Sequence, residues 1–286
     1  MSAASPVALP VRTPAPFGRR AVTVSAVEQV GAYVVLTAPD PEGPAPVPGQ
    51  FYMLAAVDRW GGGVDERPYL PRAFSVLRAD DAGLAFMLED VGPGTDRLCE
   101  LRIGDGLWLT GPLGQGFAPP ADGGRAILCG GGVGVAPLAL WQRALVAAGI
   151  PVEVLLGFRD APHAAGAALL DGGDPARVAT DDGSVGHHGL VTDLLDASLD
   201  GDPHATVYSC GPPGMLEAVR GRCVDRGVPA ELALESGMAC GYGACFGCVV
   251  PLAAGGYARV CVDGPIFAAD ALPAGALVAA HGGAPA

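Results

Sequence analysis

Four of the chain's eight cysteines fall between Cys240 and Cys261, while the other four are scattered through the first 223 residues. Cys240-x4-Cys245-x2-Cys248, followed after twelve more residues by Cys261, has the spacing of the plant-type [2Fe–2S] ligand set. Such a loop must wrap two irons and two bridging sulfides tightly. The residues between the ligands, Gly241, Tyr242, Gly243, Ala244, Phe246 and Gly247, are mostly small, so backbone N–H groups can reach the cluster sulfurs and set the potential. The competing readings are a structural zinc site, which more often takes paired C-x-x-C arms, and reduced thiols without metal.

Three further segments carry phosphate chemistry. Gly130-Gly131-Gly132-Val133-Gly134 lies between an apolar run and a helical stretch, where glycines let the backbone approach a pyrophosphate and the helix start stabilises its charge. Pro137 stands where the G-x-G-x-x-G fingerprint places its third glycine, so a plain tight turn is the alternative; proline is tolerated in a first helical turn. Cys210-Gly211-Pro212-Pro213-Gly214 ends a second run, and Cys210 either contacts a nicotinamide or is a small buried hydrophobe. Arg72-Ala73-Phe74-Ser75 with Gly92-Pro93-Gly94-Thr95 offers an arginine, a hydroxyl and a glycine-built helix start, the donors a flavin diphosphate needs. Taken alone, Arg72 is a surface arginine.

These groups need elements to position them. From Arg20 to about Phe117, β-branched segments between turn residues predict strands at 21–27, 33–37, 50–57, 72–77, 84–88 and 106–110, which suggest a small antiparallel barrel. A short helix is expected near 94–99, capped by Thr95. Near Asp122 the pattern changes. Arg125-Ala-Ile-Leu-Cys129, a continuous apolar run after its arginine, reads as a strand buried on both faces, followed by a helix over 136–148, a strand over 151–156, a polar loop at 180–184 and a helix over 189–195. A strand over 205–210 and a helix over 215–226 complete a parallel α/β layer. The resulting expectation is a multidomain α/β + β chain: a loose tail over 1–17, an antiparallel FAD-binding β-barrel over 18–119, an NAD-binding α/β domain over 120–230 and a small [2Fe–2S] domain over 231–286.

Composition narrows the classes. Of 286 residues, half are apolar, 44 are glycine and 27 are proline, which suits short strands, tight turns and cofactor loops. The formal charge of −13 and the absence of lysine leave no basic stripe for a phosphate backbone, so nucleic acid is excluded as a partner. No apolar run reaches the roughly 18–20 residues of a membrane span. Met1–Phe17 lacks the basic and apolar regions of a signal peptide, and eight cysteines without a signal argue for a cytoplasmic protein rather than a disulfide scaffold. Cys99, Cys129 and Cys223 read as packing residues, His187-His188 as a solvated loop pair, and Glu231 and Glu235 as surface carboxylates.

Arg72-x-Phe74-Ser75, Gly94-Thr95, Gly111-Pro-Leu-Gly-Gln-Gly-Phe117, Gly130-Gly-Gly-x-Gly134-x-x-Pro137 and Cys210-Gly-Pro together resemble the ferredoxin–NADP reductase superfamily. Glu235-Ser-Gly-Met-Ala-Cys-Gly-Tyr-Gly-Ala-Cys-Phe-Gly-Cys248 with Val260-Cys-Val-Asp-Gly-Pro-Ile-Phe267 is similar, more narrowly, to the electron-transfer subunits of NAD-linked, two-subunit dihydroorotate dehydrogenases. The likeness runs from about Arg20 to Leu272, and Thr180-Asp-Asp-Gly-Ser184 fits it too. It implies FAD, a [2Fe–2S] cluster and NAD as diffusible substrate. It also implies an FMN-containing catalytic partner, in a heterotetramer with two copies of each subunit, serving pyrimidine biosynthesis. Carried over, Arg72, Ala73, Phe74 and Ser75 would line the flavin, Gly94 and Thr95 would hold its diphosphate, and Asp90, Val91 and Gly92 would form a second flavin segment. Gly130, Gly131, Gly132, Gly134 and Cys210 would serve the nicotinamide nucleotide; Cys240, Cys245, Cys248 and Cys261 would ligate the cluster. Two departures stand out: Ala73 replaces a frequent proline, and Gly237 stands where an arginine is frequent.

The implied function is an electron-transfer flavoprotein that channels electrons between NAD and the FMN subunit. Two rivals remain at this level: a reductase serving a hydrogenase, oxygenase or sulfur-reducing partner, and a colourless regulatory subunit that binds zinc and nucleotide. Ile266 and Phe267, just after the fourth cysteine, either close the cluster segment's core or border the partner contact.

Overall fold

The β-branched segments of the first part fold into eight strands: β1 (Arg20–Thr23), β2 (Ala26–Val30), β3 (Tyr33–Ala38), β4 (Phe51–Ala56), β5 (Arg72–Ser75), β6 (Arg78–Asp80), β7 (Gly83–Leu88) and β8 (Gly106–Leu113). The computed structural model describes residues 19–61, 68–121 and 124–279; the tail expected over 1–17 lies outside them. The strands form two antiparallel four-stranded sheets, ordered β1-β8-β4-β5 and β2-β3-β7-β6. Among the described residues no ladder joins the two sheets, so the expected barrel is two facing sheets rather than a closed ring. Leu36, Tyr52, Leu54, Phe86, Leu107 and Leu109 fill the space between them.

The single strand expected over 21–27 is two strands in different sheets. At the break, the Val24 N–H donates to Asp105 O while the Ser25 N–H donates to Thr37 O, so adjacent residues serve opposite sheets. The helix α1 (Pro93–Cys99) follows β7, and its cap corrects another expectation: Gly92, not Thr95, is the N-cap. Thr95 lies within the first turn, where its hydroxyl donates to Gly92 O and accepts the Val91 N–H, both at 2.9 Å.

The second part is a seven-stranded sheet built from β9 (Arg125–Gly131), β10 (Val152–Phe158), β11 (Arg177–Thr180), β12 (His187–His188), β13 (Ala205–Cys210) and β14 (Ala230–Ala233), with a final strand from the cysteine segment. Its long helices are α2 (Val135–Ala147), α4 (Val191–Gly201) and α5 (Pro213–Arg226), with the single turn α3 (Ala161–Ala164) after β10. Strand order is β12-β11-β10-β9-β13-β14, all parallel. The chain winds outward from β9 in one direction and then returns to β13 on its other side. The carboxyl ends of β9 and β13 therefore flank a topological switch point, the place where open α/β sheets bind ligands.

In the cysteine segment, β15 (Val249–Pro251) and β16 (Tyr257–Arg259) form a hairpin, followed by the turn α6 (Val260–Asp263), strand β17 (Ile266–Ala268) and α7 (Ala276–Ala279). Strand β17 pairs antiparallel with β14, which itself straddles the expected 230/231 boundary. Phe267 is buried and Ile266 half-buried against the core, so these two residues close the core and do not form an exposed contact surface. Among the described residues no helix is long and apolar enough to cross a membrane.

Candidate functional site

Strand β5 runs beside β4 in the register Leu54↔Arg72, Met53↔Ala73, Tyr52↔Phe74 and Phe51↔Ser75. This places Arg72, Ala73, Phe74 and Ser75 along one wall of a cavity of about 580 Å³, closed on other sides by Val91, Thr95 and the segment from Leu234 to Ala239. Arg72 donates from Nη1 to Leu70 O at 2.6 Å, and its guanidinium crosses the face of Gly94. Asp90, Gly92 and Gly94 do not line the cavity; they shape the turn that brings Val91 and Thr95 to it.

A second cavity, of about 630 Å³, opens at the switch point. Gly131 and Gly132 line it together with Pro212, Gly214 and Met215 from the start of α5, so the two glycine loops do converge. Gly130 and Gly134 are packed beneath. A Cβ on Gly134 would stand 2.1 Å from the Cys210 carbonyl oxygen, so the backbones of the two loops touch only because position 134 has no side chain. Pro137 occupies the first turn of α2, where its missing N–H has no intrahelical partner to lose. Cys210 lines neither cavity. Burial, with Glu235 adding to it, holds its thiol well above the ordinary range.

The two cavities share Glu89, Val133 and Glu235. Glu235, which reads from the sequence as a surface carboxylate, lies two residues past β14 and faces the switch point, a position that only the strand assignment signals. Glu231, two turns of the pleat earlier, accepts the Ala118 N–H at 2.9 Å, and burial raises its carboxyl despite that bond. In the 180–189 loop, Asp182 accepts from the Ser184 backbone at 2.9 Å and hydroxyl at 2.6 Å, whereas Asp181 faces the second cavity. His187 and His188 are exposed on the edge strand β12.

The cysteine loop begins where the first cavity ends: Met238 and Ala239 line that cavity and Cys240 follows. Gly241, with φ +79°, rests against Met53 of β4 and Leu113 of β8, a conformation and a gap that only glycine fits well. Among the described residues no three His, Cys, Asp or Glu side chains are gathered as a single-metal site would have them. The four thiols are neighbours in two pairs, Cys240 with Cys245 and Cys248 with Cys261. Two pairs of sulfur donors, three on the loop and Cys261 on α6, are the donor set that two bridged irons take.

Backbone N–H groups point into the same loop. Burial would raise the Cys240 thiol, but N–H donors from Cys245, Tyr242 and Ala244 and the Cys245 side chain bring it down to about 7. The Cys261 N–H lies 3.5 Å from Cys248 Sγ, and the Gly247 N–H 3.4 Å from Cys245 Sγ. Cys261 is pushed up to about 12 by burial and by Cys248. Thiolate-stabilising donors on one side and apolar packing on the other suit a buried cluster with one edge near solvent. On that edge Cys245, Tyr242 and Phe246 are exposed, and the Arg259 guanidinium covers the Phe246 ring at 5.2 Å.

Residues 235–273 match the family model described as the iron-sulfur cluster binding domain of dihydroorotate dehydrogenase B. The chain is 35% identical to the dihydroorotate dehydrogenase B (NAD(+)) electron transfer subunit of Clostridium acetobutylicum, over 77% of its own length and 83% of that protein. It is 38% identical to the subunit of the same name from Geobacillus thermodenitrificans, over 78% and 85% of the two chains. For the Desulforamulus reducens subunit the identity is 33%, over 88% and 95%. In fold, the chain resembles a solved structure of the NADH-dependent reduced ferredoxin-NADP oxidoreductase, with a TM-score of 0.76 at 24% identity over 91% and 92% of the chains. It also resembles a ferredoxin NADP+ reductase from Neisseria gonorrhoeae solved with FAD and NADP, with a TM-score of 0.59 at 19% identity over 73% and 92%.

Proposed function

The chain belongs to the family of electron transfer subunits of dihydroorotate dehydrogenase B, and from that premise we infer that it carries electrons between NAD and a separate FMN-containing catalytic subunit that oxidises dihydroorotate in pyrimidine biosynthesis. The observation that carries the reading is contiguity. The switch-point cleft meets the β5-walled cavity at Glu89, Val133 and Glu235, and that cavity's wall runs on through Ala239 into Cys240.

We assign the β5-walled cavity to FAD, the switch-point cleft to NAD and the paired cysteines to a [2Fe–2S] cluster. Residues 18–119 then form the flavin unit, an opened version of the expected barrel, with 120–230 the nucleotide unit and 231–286 the cluster unit. FAD supplies the exchange between two-electron hydride chemistry and one-electron transfer, and the cluster supplies single-electron steps. The chain's own residues bind and orient. Arg72 and the Thr95 turn would hold the flavin diphosphate, while Ala73, Phe74 and Ser75 would pack along its ring. Gly131 and Gly132 line the cleft just before α2 and would let a dinucleotide approach the backbone there. The Phe51, Met53 and Leu113 side chains share a core with Cys248 and Cys261, which keeps water from the space between flavin and cluster.

The partner is the FMN subunit, in the proposed heterotetramer of two copies each. The exposed rim of Tyr242 and Phe246 around Cys245 is the surface from which an electron would leave, and it takes over the contact role considered for Ile266 and Phe267. The test is a spectrum and an assay. The purified chain should show flavin bands with broad iron–sulfur absorption. A colourless protein would instead support the regulatory alternative, and a chain that couples only to another acceptor would support the other reductases.

A further inference from the structure

The switch-point cleft is poor in positive charge. Its titratable lining comprises the acids Glu89, Asp181 and Glu235, the phenol Tyr33 and His163, and a single arginine, Arg159. A dinucleotide brings two negative phosphates into that setting. Arg159 follows β10 on the nucleotide side and forms an ion pair with Glu89, which follows β7 on the flavin side. The pair is unequal: the Arg159 side chain is 59% exposed and the Glu89 side chain 17%. The arginine can therefore swing, whereas the carboxylate is set in the wall and would be costly to leave uncompensated.

Glu89 has a second neighbour. His163 Nε2 lies 3.3 Å from Glu89 Oε1, and His163 Nδ1 lies 2.5 Å from Asp160 Oδ1, so the imidazole bridges two carboxylates. Tyr33, fully buried on β3, packs edge-on against that imidazole with ring centroids 5.6 Å apart. Among the described residues its hydroxyl has no hydrogen-bond partner, although Tyr33 lines the cleft. A carboxylate with two partners, one of them exposed, is an arrangement ready for that partner to leave.

We propose that Arg159 is an exchangeable pyrophosphate ligand: Glu89 holds it until a dinucleotide arrives, whereupon the guanidinium turns to the pyrophosphate and Glu89 remains with His163. This deepens the reading of the cleft as the NAD site and rests on it. Arginine suits the role because its planar fork grips phosphate oxygens in pairs and forms strong charge-assisted bonds. The competition with Glu89 would temper affinity, which favours release of the spent nucleotide.

The test is equilibrium binding to the purified, cofactor-containing protein, with ADP-ribose carrying the pyrophosphate and 2′-AMP carrying only the 2′-phosphate. Arg159→Gln should weaken ADP-ribose about tenfold, the effect of losing one charge-assisted phosphate contact, and leave 2′-AMP within about twofold. Glu89→Gln should tighten ADP-ribose by about threefold, and should have no effect once Arg159 is Gln, because the two residues act as one unit. If Arg159→Gln weakens only 2′-AMP, the arginine reads a 2′-phosphate and the proposal fails. If Glu89→Gln weakens ADP-ribose as much as Arg159→Gln does, the pair is a fixed fastener and the proposal also fails. Unmodified protein that binds no ADP-ribose at all would remove the nucleotide reading itself.

Discussion

Gly241 of the cysteine loop sits directly on Met53 of β4: a Cβ built at Gly241 would lie 2.5 Å from Met53 Cγ. Met53 is also the register partner of Ala73, which lines the proposed flavin cavity. One methionine thus forms the floor of the cluster loop and the back of the flavin wall. The cysteine loop is held near the proposed flavin cavity by a contact that any side chain at position 241 would push apart.

Gly241→Ala combines that clash with a left-handed backbone. We expect a stability loss of about 1–2 kcal/mol in thermal unfolding and a lower ratio of iron to flavin in the purified protein. An unchanged ratio would show that the loop finds its place without this contact.

Cys245→Ser should remove the cluster and spare the flavin, because the proposed flavin-lining residues lie on β5 and at the start of α1, away from Cys245. Iron analysis and the visible spectrum report the two outcomes separately. Reduction of a dye by NADH should survive in this variant, while electron delivery to the partner subunit should not.

Asp181 faces the cleft, whereas Asp182 is occupied in turning its own loop. A carboxylate near a ribose accepts its hydroxyls and repels a 2′-phosphate. NADH should therefore exceed NADPH in kcat/KM by about tenfold or more, and Asp181→Asn should narrow the gap, since each tenfold step corresponds to about 1.4 kcal/mol. Comparable dye reduction by the two nucleotides in the unmodified protein would defeat the assignment.

The chain alone should not oxidise dihydroorotate, since its proposed cavities are taken up by two nucleotides and its cysteine loop by a cluster. Mixed with the FMN subunit, it should couple orotate formation to NAD reduction. Turnover without the partner would refute the relay role.

Stability should fall in acid through Glu153 on β10. Burial works to raise its carboxyl, but Ser198 at 2.5 Å, Arg177 at 2.9 Å and Arg125 at 2.8 Å donate to it and hold it below its ordinary value. A carboxyl lowered in the folded state contributes stability above its unfolded pKa of about 4.3 and loses it as pH falls through the folded value. Glu153→Gln should therefore cost about 1–2 kcal/mol at pH 7, with the difference from the unmodified protein closing below about pH 4. A difference independent of pH would assign the loss to packing.

Much of this protein is local, and local features were legible in the chain. The cysteine spacing announces its cluster because three ligands must come from one short loop. The runs at 125–129 and 205–210, each followed by glycine, became β9 and β13 with their loops side by side. The α5 helix closes at Gly227 in the left-handed conformation, a stop that the sequence signals directly. Less local features do not show in the chain. Ala21 to Val27 has the pattern of one strand, and only the pull of Asp105, just before β8, and of Thr37 on β3 in the other sheet breaks it. The short β11 has too few residues for its alternation to stand out, and is a strand because β10 pairs with it.

What the sequence by itself determined is the chemistry available: sulfur donors at cluster spacing, glycines where phosphate must approach, an arginine and a serine on one short strand. What only the tertiary structure decided is which of these groups meet. Glu89, Val133 and Glu235 come from three separate segments and bound both cavities, and no periodicity links them. Ile266 and Phe267 look like a contact surface until β17 pairs with β14 and turns them inward. Residue types and spacings act over a single loop or turn, whereas a cavity is the space left when distant strands and helices bury their own apolar faces, and its walls exist only once that packing is complete.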